Sequence, residues 1–262
     1  MKQIDINCDM GEMAEAVADG TQEDLMHYVS SANIACGGHA GNAFTMRATI
    51  EQATRHNVAI GAHPGYEDPA NFGRHELQRS PEEIAESVYR QLVALDEIAK
   101  PLGARIAHVK PHGALYNQAA RYRELAHAIA EGVLRWRTDI IMVGLAGSVM
   151  LEEFRLAGFL VAAEGFADRR YEPDGSLRAR KFPDALLADP HAAAFQAVQI
   201  AREGSVTTSA NTSISLRAQT ICIHADTPGA AAIAAQVRRS LARAGISIAN
   251  LVEQKRSGNS QT

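Results

Sequence analysis

The feature that most constrains this chain is a regular alternation of short β-branched runs with stretches of helical periodicity. Strands are predicted at Ile4–Asn7, Ala32–Cys36, Val58–Ala62, Ile106–Val109, Ile140–Gly144, Leu160–Glu164 and Thr220–His224. Helices are predicted at Ala43–His56, Pro81–Lys100, Arg123–Arg137, Ser148–Ala157, Pro190–Glu203 and Pro228–Ala244. Ser80-Pro81-Glu82-Glu83 has the grammar of a helix start: a capping hydroxyl, proline at the first helical position, then acids favoured by the helix dipole. Asp189-Pro190 and Thr227-Pro228 repeat it. Such alternation implies a mainly parallel sheet with helices outside it, and nearly continuous apolar strands suit burial on both faces.

Seven strands, most of them followed by polar residues, favour a closed (β/α) barrel over an open sheet, which concentrates its polar residues at one switch point. No linker or composition break divides the chain. We therefore expect one α/β barrel domain over residues 1–253 and a polar, fraying tail over 254–262. Two segments rich in Gly, Pro, Asp and Arg, Gly65–Arg79 and Phe166–Asp189, follow strands directly and are expected to cover the site. Ser205–Leu216 reads as a small extra hairpin.

Charge excludes some functions. With 26 basic and 30 acidic residues and no long run of either sign, the chain has no footprint for nucleic acid or a membrane surface. The opening MKQIDINCDMGE lacks the apolar run of a signal peptide. Three cysteines without C-x-x-C spacing (Cys8, Cys36 and Cys222) argue against a disulfide framework and suit a reducing cytoplasm.

Chemistry collects after the strands. Their ends carry Asp9 and Glu12, His39, His63, Lys110 and His112, then Asp168 and Arg169, and lastly His224 and Asp226. One polar residue there means little, since a lone histidine is more often structural. Polar groups at most strand ends, each beside a Gly or Pro, point to a shared active site. Histidines and carboxylates converging from different strands can bind a divalent metal or act as acid and base near neutral pH. Asp9, His39, His63 and His112 form the best metal constellation, although none shares a short helical spacing. Lys110 could neutralise a carboxylate or phosphate, or be a surface lysine. The turn Gly144-Leu145-Ala146-Gly147-Ser148 could offer backbone N–H groups to an anion such as a nucleotide phosphate. No G-x-x-x-x-G-K-[ST] loop occurs in the sequence. The cysteines are expected to serve packing.

These segments, in this order, resemble the LamB/YcsF family, the A subunit of ATP-dependent 5-oxoprolinase. The resemblance is carried by Asp5–Glu12, Ser30–Gly41, Gly61–Tyr66, Phe72-Gly73-Arg74, His108–Asn117, Val143–Ser148, Phe166–Arg169 and Ile221–Gly229. It implies a distorted seven-stranded (β/α) barrel of the glycoside hydrolase/deacetylase type. It also implies ATP-coupled cleavage of the lactam 5-oxo-L-proline to L-glutamate, in a complex with the B and C subunits. Asp9, Glu12, His39, His63, Lys110, His112, Asp168 and Arg169 are carried over as pocket residues on these matches. Lys110 and Arg169 would hold the substrate carboxylate or the transferred phosphate, and Asp9 or Glu12 would act as base. His39, His63 and His112 would bind a metal or shuttle protons. Alanine at Lys110 or His112 is expected to abolish turnover with the fold intact. Without a P-loop here, the ATP site is expected to be unconventional, shared with a partner, or on one.

Some positions depart from the family pattern: Gly38 for a bulky aromatic, Asn42 for Asp, His75 for Arg, and Met13–Gly20 without its usual Gly- and aromatic-containing loop. A different pocket shape and another lactam are therefore open. Two further readings stand beside the first: a stand-alone metal-dependent amide hydrolase, and a non-catalytic member of a lactam-utilising complex.

Overall fold

A computed structural model describes residues 2–258. The elements, in chain order, are β1 (Gln3–Met10), α1 (Ala14–Ala18), α2 (Thr21–Met26), β2 (Ser31–Ala35), α3 (Ala43–Arg55), β3 (Ala59–His63), α4 (Pro81–Ala99), β4 (Ile106–Val109), α5 (Gly113–Ala119) and α6 (Arg123–Trp136). There follow β5 (Ile141–Leu145), α7 (Val149–Leu156), β6 (Leu160–Phe166), α8 (Pro190–Glu203), β7 (Ser205–Thr207), β8 (Ser213–Ser215), β9 (Thr220–Ile223), α9 (Ala230–Arg243), β10 (Ser247–Ile248) and α10 (Leu251–Gly258).

Seven parallel strands close the barrel in the order β1-β2-β3-β4-β5-β6-β9, with β9 pairing back onto β1. All seven strands predicted from the sequence are present. The closure is uneven. Only Glu164–Phe166 of β6 pair with β9, while β10 lies along Gln3 and Ile4 at the start of β1. Helices α4 and α6, and α8 and α9, pack in pairs outside the sheet. The hairpin forms as expected, from antiparallel β7 and β8.

Local signals account for most helix starts. Ser80 and Glu83 form a capping box before α4, Asn42 and Thr45 form another before α3, and Asp189 caps α8. The third expected start does not form: α9 begins at Ala230 behind Gly229, and the Thr227 hydroxyl donates to Asp168 instead. The tail also differs. Helix α10 runs through Gln254 to Gly258, and Gln254 Nε2 donates to the carbonyls of Gln219 and Ala249. Leu251 packs with Ile141, Val143 and Ala162 in a small apolar cluster separate from the main core. Residues 259–262 lie outside the described ones.

The strands are buried on both faces, yet the inner face is polar. In β1 the alternation sends Ile4, Ile6, Cys8 and Met10 into the apolar core and Asp5, Asn7 and Asp9 into the lumen. Asp5 accepts from Ser30, Ser31 and Thr220 at 2.6–2.8 Å. Asn7 donates to Thr220 and to Glu164, and Asn33 donates to Asn7 and to Asp9. His108 faces Asn33 at 2.7 Å, across a strand where Gly61 leaves room: a Cβ at Gly61 would lie 2.1 Å from the His108 ring. A hydrogen-bonded column thus replaces the layers of branched aliphatics usual in such barrels.

Burial pushes the Asp5 carboxyl up to about 6 from an ordinary 3.8, despite its three donors. The folded state therefore keeps a proton that the unfolded chain releases between about pH 4 and 6, so this group's contribution falls as pH rises through that window, by about 3 kcal/mol in all. Asp5→Asn removes that dependence. Urea unfolding from pH 4 to 7 is expected to show the wild type's margin over the variant shrinking by roughly that amount; a pH-independent margin would place an ionised Asp5 in the fold throughout.

Candidate active site

The polar column opens at its C-terminal end into a cavity of about 790 Å³. Its floor comes from strand ends, where Asp9, Glu12, His63, Lys110, His112 and His224 are all exposed to it. Its walls come from the two segments expected to cover the site, which contribute Arg74 and Arg169, Arg180 and their neighbours.

Lys110 is the centre of the floor. Its ammonium lies 2.9 Å from Glu164, 3.0 Å from Asp9, 3.2 Å from Asn7 Oδ1 and 3.2 Å from Cys222 Sγ, and it is only 3% exposed. Burial alone would lower its pKa; Asp9 and Glu164 outweigh that and hold it well above the ordinary value. Asp9 is correspondingly held well below the usual carboxylate range against its own burial, by His63 and Lys110. Two carboxylates already neutralise this lysine, so a substrate anion meets no free charge there. Tyr116, carried by α5, completes the cage by donating to Glu164 at 2.7 Å.

Three histidines gather beside it. His39 and His112 stack face to face with centroids 3.6 Å apart, and His63 meets His112 edge-on. Glu12 lies 3.0 Å from His39 Nε2 and 3.4 Å from His112 Nδ1. Donor atoms of Glu12, His39, His63 and His112 all lie within 4.8 Å of one another. Asp9 is absent from that group, although its Oδ2 lies 3.3 Å from His63 Nε2. Glu12 stands where the sequence pointed to Asp9, because Gly11, at φ +75°, turns the chain so that Glu12 faces the histidines. Burial lowers the pKa of His39 to about 2 and that of His112 well below its ordinary value, so both rings are neutral. Burial, then the charge of Asp9, pushes Glu12 up to about 7.

Across the cavity, Asp168 is fully buried and accepts from the His224 backbone N–H, the His224 ring at 2.9 Å and the Thr227 hydroxyl at 2.7 Å. His224 Nδ1 therefore carries the proton, and Nε2 is the ring nitrogen left for the cavity that His224 lines. A ring nitrogen of His224 also lies within 4.8 Å of Asp9 and Cys222. Arg169 is buried, gives one N–H to the Arg178 carbonyl, and keeps its Nε without a partner. Burial and the neighbouring Arg180 guanidinium lower its pKa to about 10, so this wall favours an anion. Arg180 and Arg74 both pair with Asp226 on the rim.

The chain matches the model of the LamB/YcsF family over residues 4–256. It belongs to that family. Over 248 residues it is 49% identical to the 5-oxoprolinase A subunit of Chloroflexus aggregans, covering 95% of this chain and 98% of that one. The 5-oxoprolinase A subunit of Bordetella pertussis is 45% identical, with 94% and 97% covered. Among solved structures, a lactam utilization protein from Thermus thermophilus superposes with a TM-score of 0.87 at 41% identity, covering 94% of this chain and 98% of that one. A family 4 carbohydrate esterase from Streptomyces lividans shares the fold at 12% identity, with a TM-score of 0.52, covering 97% and 94%.

Every residue carried over from the family resemblance lies on or against this cavity. The glycine-rich turn divides. Gly147 and Ser148 line the cavity, but the Ser148 amide and hydroxyl both donate to Leu145, and Gly144 sits within β5 packed against Met150. Sequence reasoning placed His224 among the strand-end groups without a specific role, and assigned none to Asn7, Asn33, His108, Tyr116, Glu164 or Cys222. The period-two polar row of β1 and the His108-x-Lys110 spacing carried that signal. Cys222 faces Lys110, whereas Cys8 and Cys36 pack in the core. None of Gly38, Asn42 and His75 lines the cavity. Gly38 leaves its space to Gln91, whose side chain holds the Gly65 backbone at 2.7 and 3.0 Å.

The cage changes the outcome expected for substitution at Lys110. Removing its charge leaves Asp9 and Glu164 buried and uncompensated, so Lys110→Met is expected to lose about 3–5 kcal/mol of unfolding free energy. Adding Glu164→Gln should recover part of that loss. Urea unfolding of both variants checks this, and a Lys110→Met protein as stable as the wild type would refute it.

Proposed function

We propose that this chain is the A subunit of an ATP-dependent 5-oxoprolinase that opens 5-oxo-L-proline to L-glutamate in the cytoplasm, together with the B and C subunits. Its 5-oxoprolinase and lactam-utilization relatives support the substrate class. The observation that carries the chemistry is the Asp168–His224 pair, set in one cavity with the guanidinium wall of Arg169 and Arg180.

A five-membered lactam resists hydrolysis because its nitrogen must leave as an amine and its carbonyl is weakly electrophilic. In the reaction, the lactam oxygen takes the γ-phosphoryl group of ATP and ADP departs. Water then adds to the activated carbon, giving its proton to the carboxylates of Asp9 or Glu12. The C–N bond breaks as the ring nitrogen takes a proton from Nε2 of His224, which enters this step as an imidazolium protonated there from solvent, while Asp168 stabilises that imidazolium and holds its orientation. A second water cleaves the resulting acyl phosphate to glutamate and phosphate. Arg169 and Arg180 hold the substrate carboxylate or the phosphoryl group, which Lys110 is not free to do. The turn at Gly147 and Ser148 has already given the Ser148 amide away, so we place phosphoryl transfer on the partner subunits.

Glutamate release from 5-oxoproline, measured with this chain alone and with the B and C subunits, with and without ATP, tests the reading. Product is expected only from the complete mixture with ATP. His224→Ala should lower turnover by about 10²–10⁴-fold with the complex still assembled. Release without ATP or partners would point to a stand-alone hydrolase, and no release from a folded, assembled complex would remove 5-oxoproline as substrate.

A further inference from the structure

The histidine cluster poses a proton-counting problem. His63 Nδ1 lies 2.7 Å from the Lys110 carbonyl, which can only accept, so His63 carries a proton there, and its Nε2 faces an Asp9 carboxylate oxygen at 3.3 Å. His112 Nε2 lies 3.0 Å from the Phe72 carbonyl, so by the same reasoning His112 Nδ1 has a lone pair. His63 Nε2 and His112 Nδ1 face each other at 2.9 Å, and a Glu12 carboxylate oxygen stands 3.4 Å from His112 Nδ1. Acceptors from Asp9, Glu12 and His112 thus gather around His63 Nε2, and only a second proton on His63 or a metal cation can sit among them.

We propose that Glu12, His63 and His112 bind one divalent transition-metal ion at the cavity floor, with His39 outside the ligand set as a support. Two imidazole nitrogens and one carboxylate oxygen suit zinc and its neighbours, and three protein ligands leave coordination open toward the cavity that all three residues line. A ligating histidine almost always gives its other N–H to a carbonyl or carboxylate, as His63 and His112 both do. Ligands of a four-coordinate ion with bonds of about 2.0–2.1 Å stand roughly 3.3 Å apart, close to the spacings here.

His39 differs on each count. It does not line the cavity, and its Nδ1 is buried without a partner. Were Nε2 a ligand, Nδ1 would carry a proton with nowhere to donate it, the costlier arrangement in a buried site. With the proton on Nε2, it donates to Glu12 at 3.0 Å and aims that carboxylate, while its ring stacks on His112. Gly73 and Gly65 let the backbone close on this ring: a Cβ would lie 2.6 Å from His39 Cβ at the first and 2.8 Å from His39 Nδ1 at the second.

The test reads metal rather than glutamate, so it stands or falls separately from the lactam assignment. Metal-stripped protein is loaded with Zn²⁺, or in a parallel arm with Co²⁺, and bound metal is counted after gel filtration. One ion per chain is expected. His63→Ala, His112→Ala and Glu12→Gln should each lose it, whereas His39→Ala should keep it with affinity weakened about 10–100-fold. Histidine ¹⁵N NMR of the wild type covers the case of variants that do not fold. The metal-free protein should show His63 protonated on Nδ1 and His112 on Nε2, and Zn²⁺ should shift His63 Nε2 and His112 Nδ1. A wild type that retains no ion, or an ion that leaves those nitrogens unshifted, overturns the site. Loss in folded His39→Ala with retention in Glu12→Gln overturns the ligand assignment.

Discussion

The ammonium of Lys110, held between Asp9 and Glu164 inside a closed barrel, organises the rest of this molecule. Buried charge is tolerable only when it is paired and its remaining hydrogen-bonding capacity is met. Here that requirement spreads outward. Asn7 must bridge Glu164 and Thr220, Asn33 must bridge Asn7 and Asp9, and Gly61 must leave room for His108 behind them. A change to any member leaves another buried polar group without a partner. The column is therefore a rigid floor, whose placement of Asp9 beside His63 does not depend on mobile loops.

Rigid and variable parts have separate tasks. Strand ends supply the histidines, Asp9 and Lys110, and backbone carbonyls of Lys110 and Phe72 set the tautomers of His63 and His112. The long segments after β3 and β6 supply guanidiniums, whose planar forks suit recognition of an anion. Away from the cavity, Leu251 packs against Ile141, Val143 and Ala162 and ties the C-terminal helix to β5 and β6.

The strands and long helices were legible because their signals are local: a β-branched run, a capping serine before proline, an acid in the first turn. The short helices were not. Helix α5 starts at a glycine and lasts seven residues, too few to establish a period, yet it delivers Tyr116 to Glu164. Thr227-Pro228 has the local form of a helix start, but a fully buried carboxylate took its hydroxyl. Helix α10 has a polar sequence, and its place comes from where Leu251 and Gln254 land.

The sequence by itself determined the barrel, the end of it that carries chemistry, and the residue types available there. Those follow from periodicity and from chain neighbours, which any reading of the sequence can see. Only the tertiary structure decided the partners. It gave Lys110 to two carboxylates rather than to substrate, joined Asp168 to His224 across 56 positions, and put Glu12 among the histidines while Asp9 stands beside His63. Such pairings depend on strand register and on single turns such as that at Gly11, where a shift of one residue reverses the face a side chain occupies.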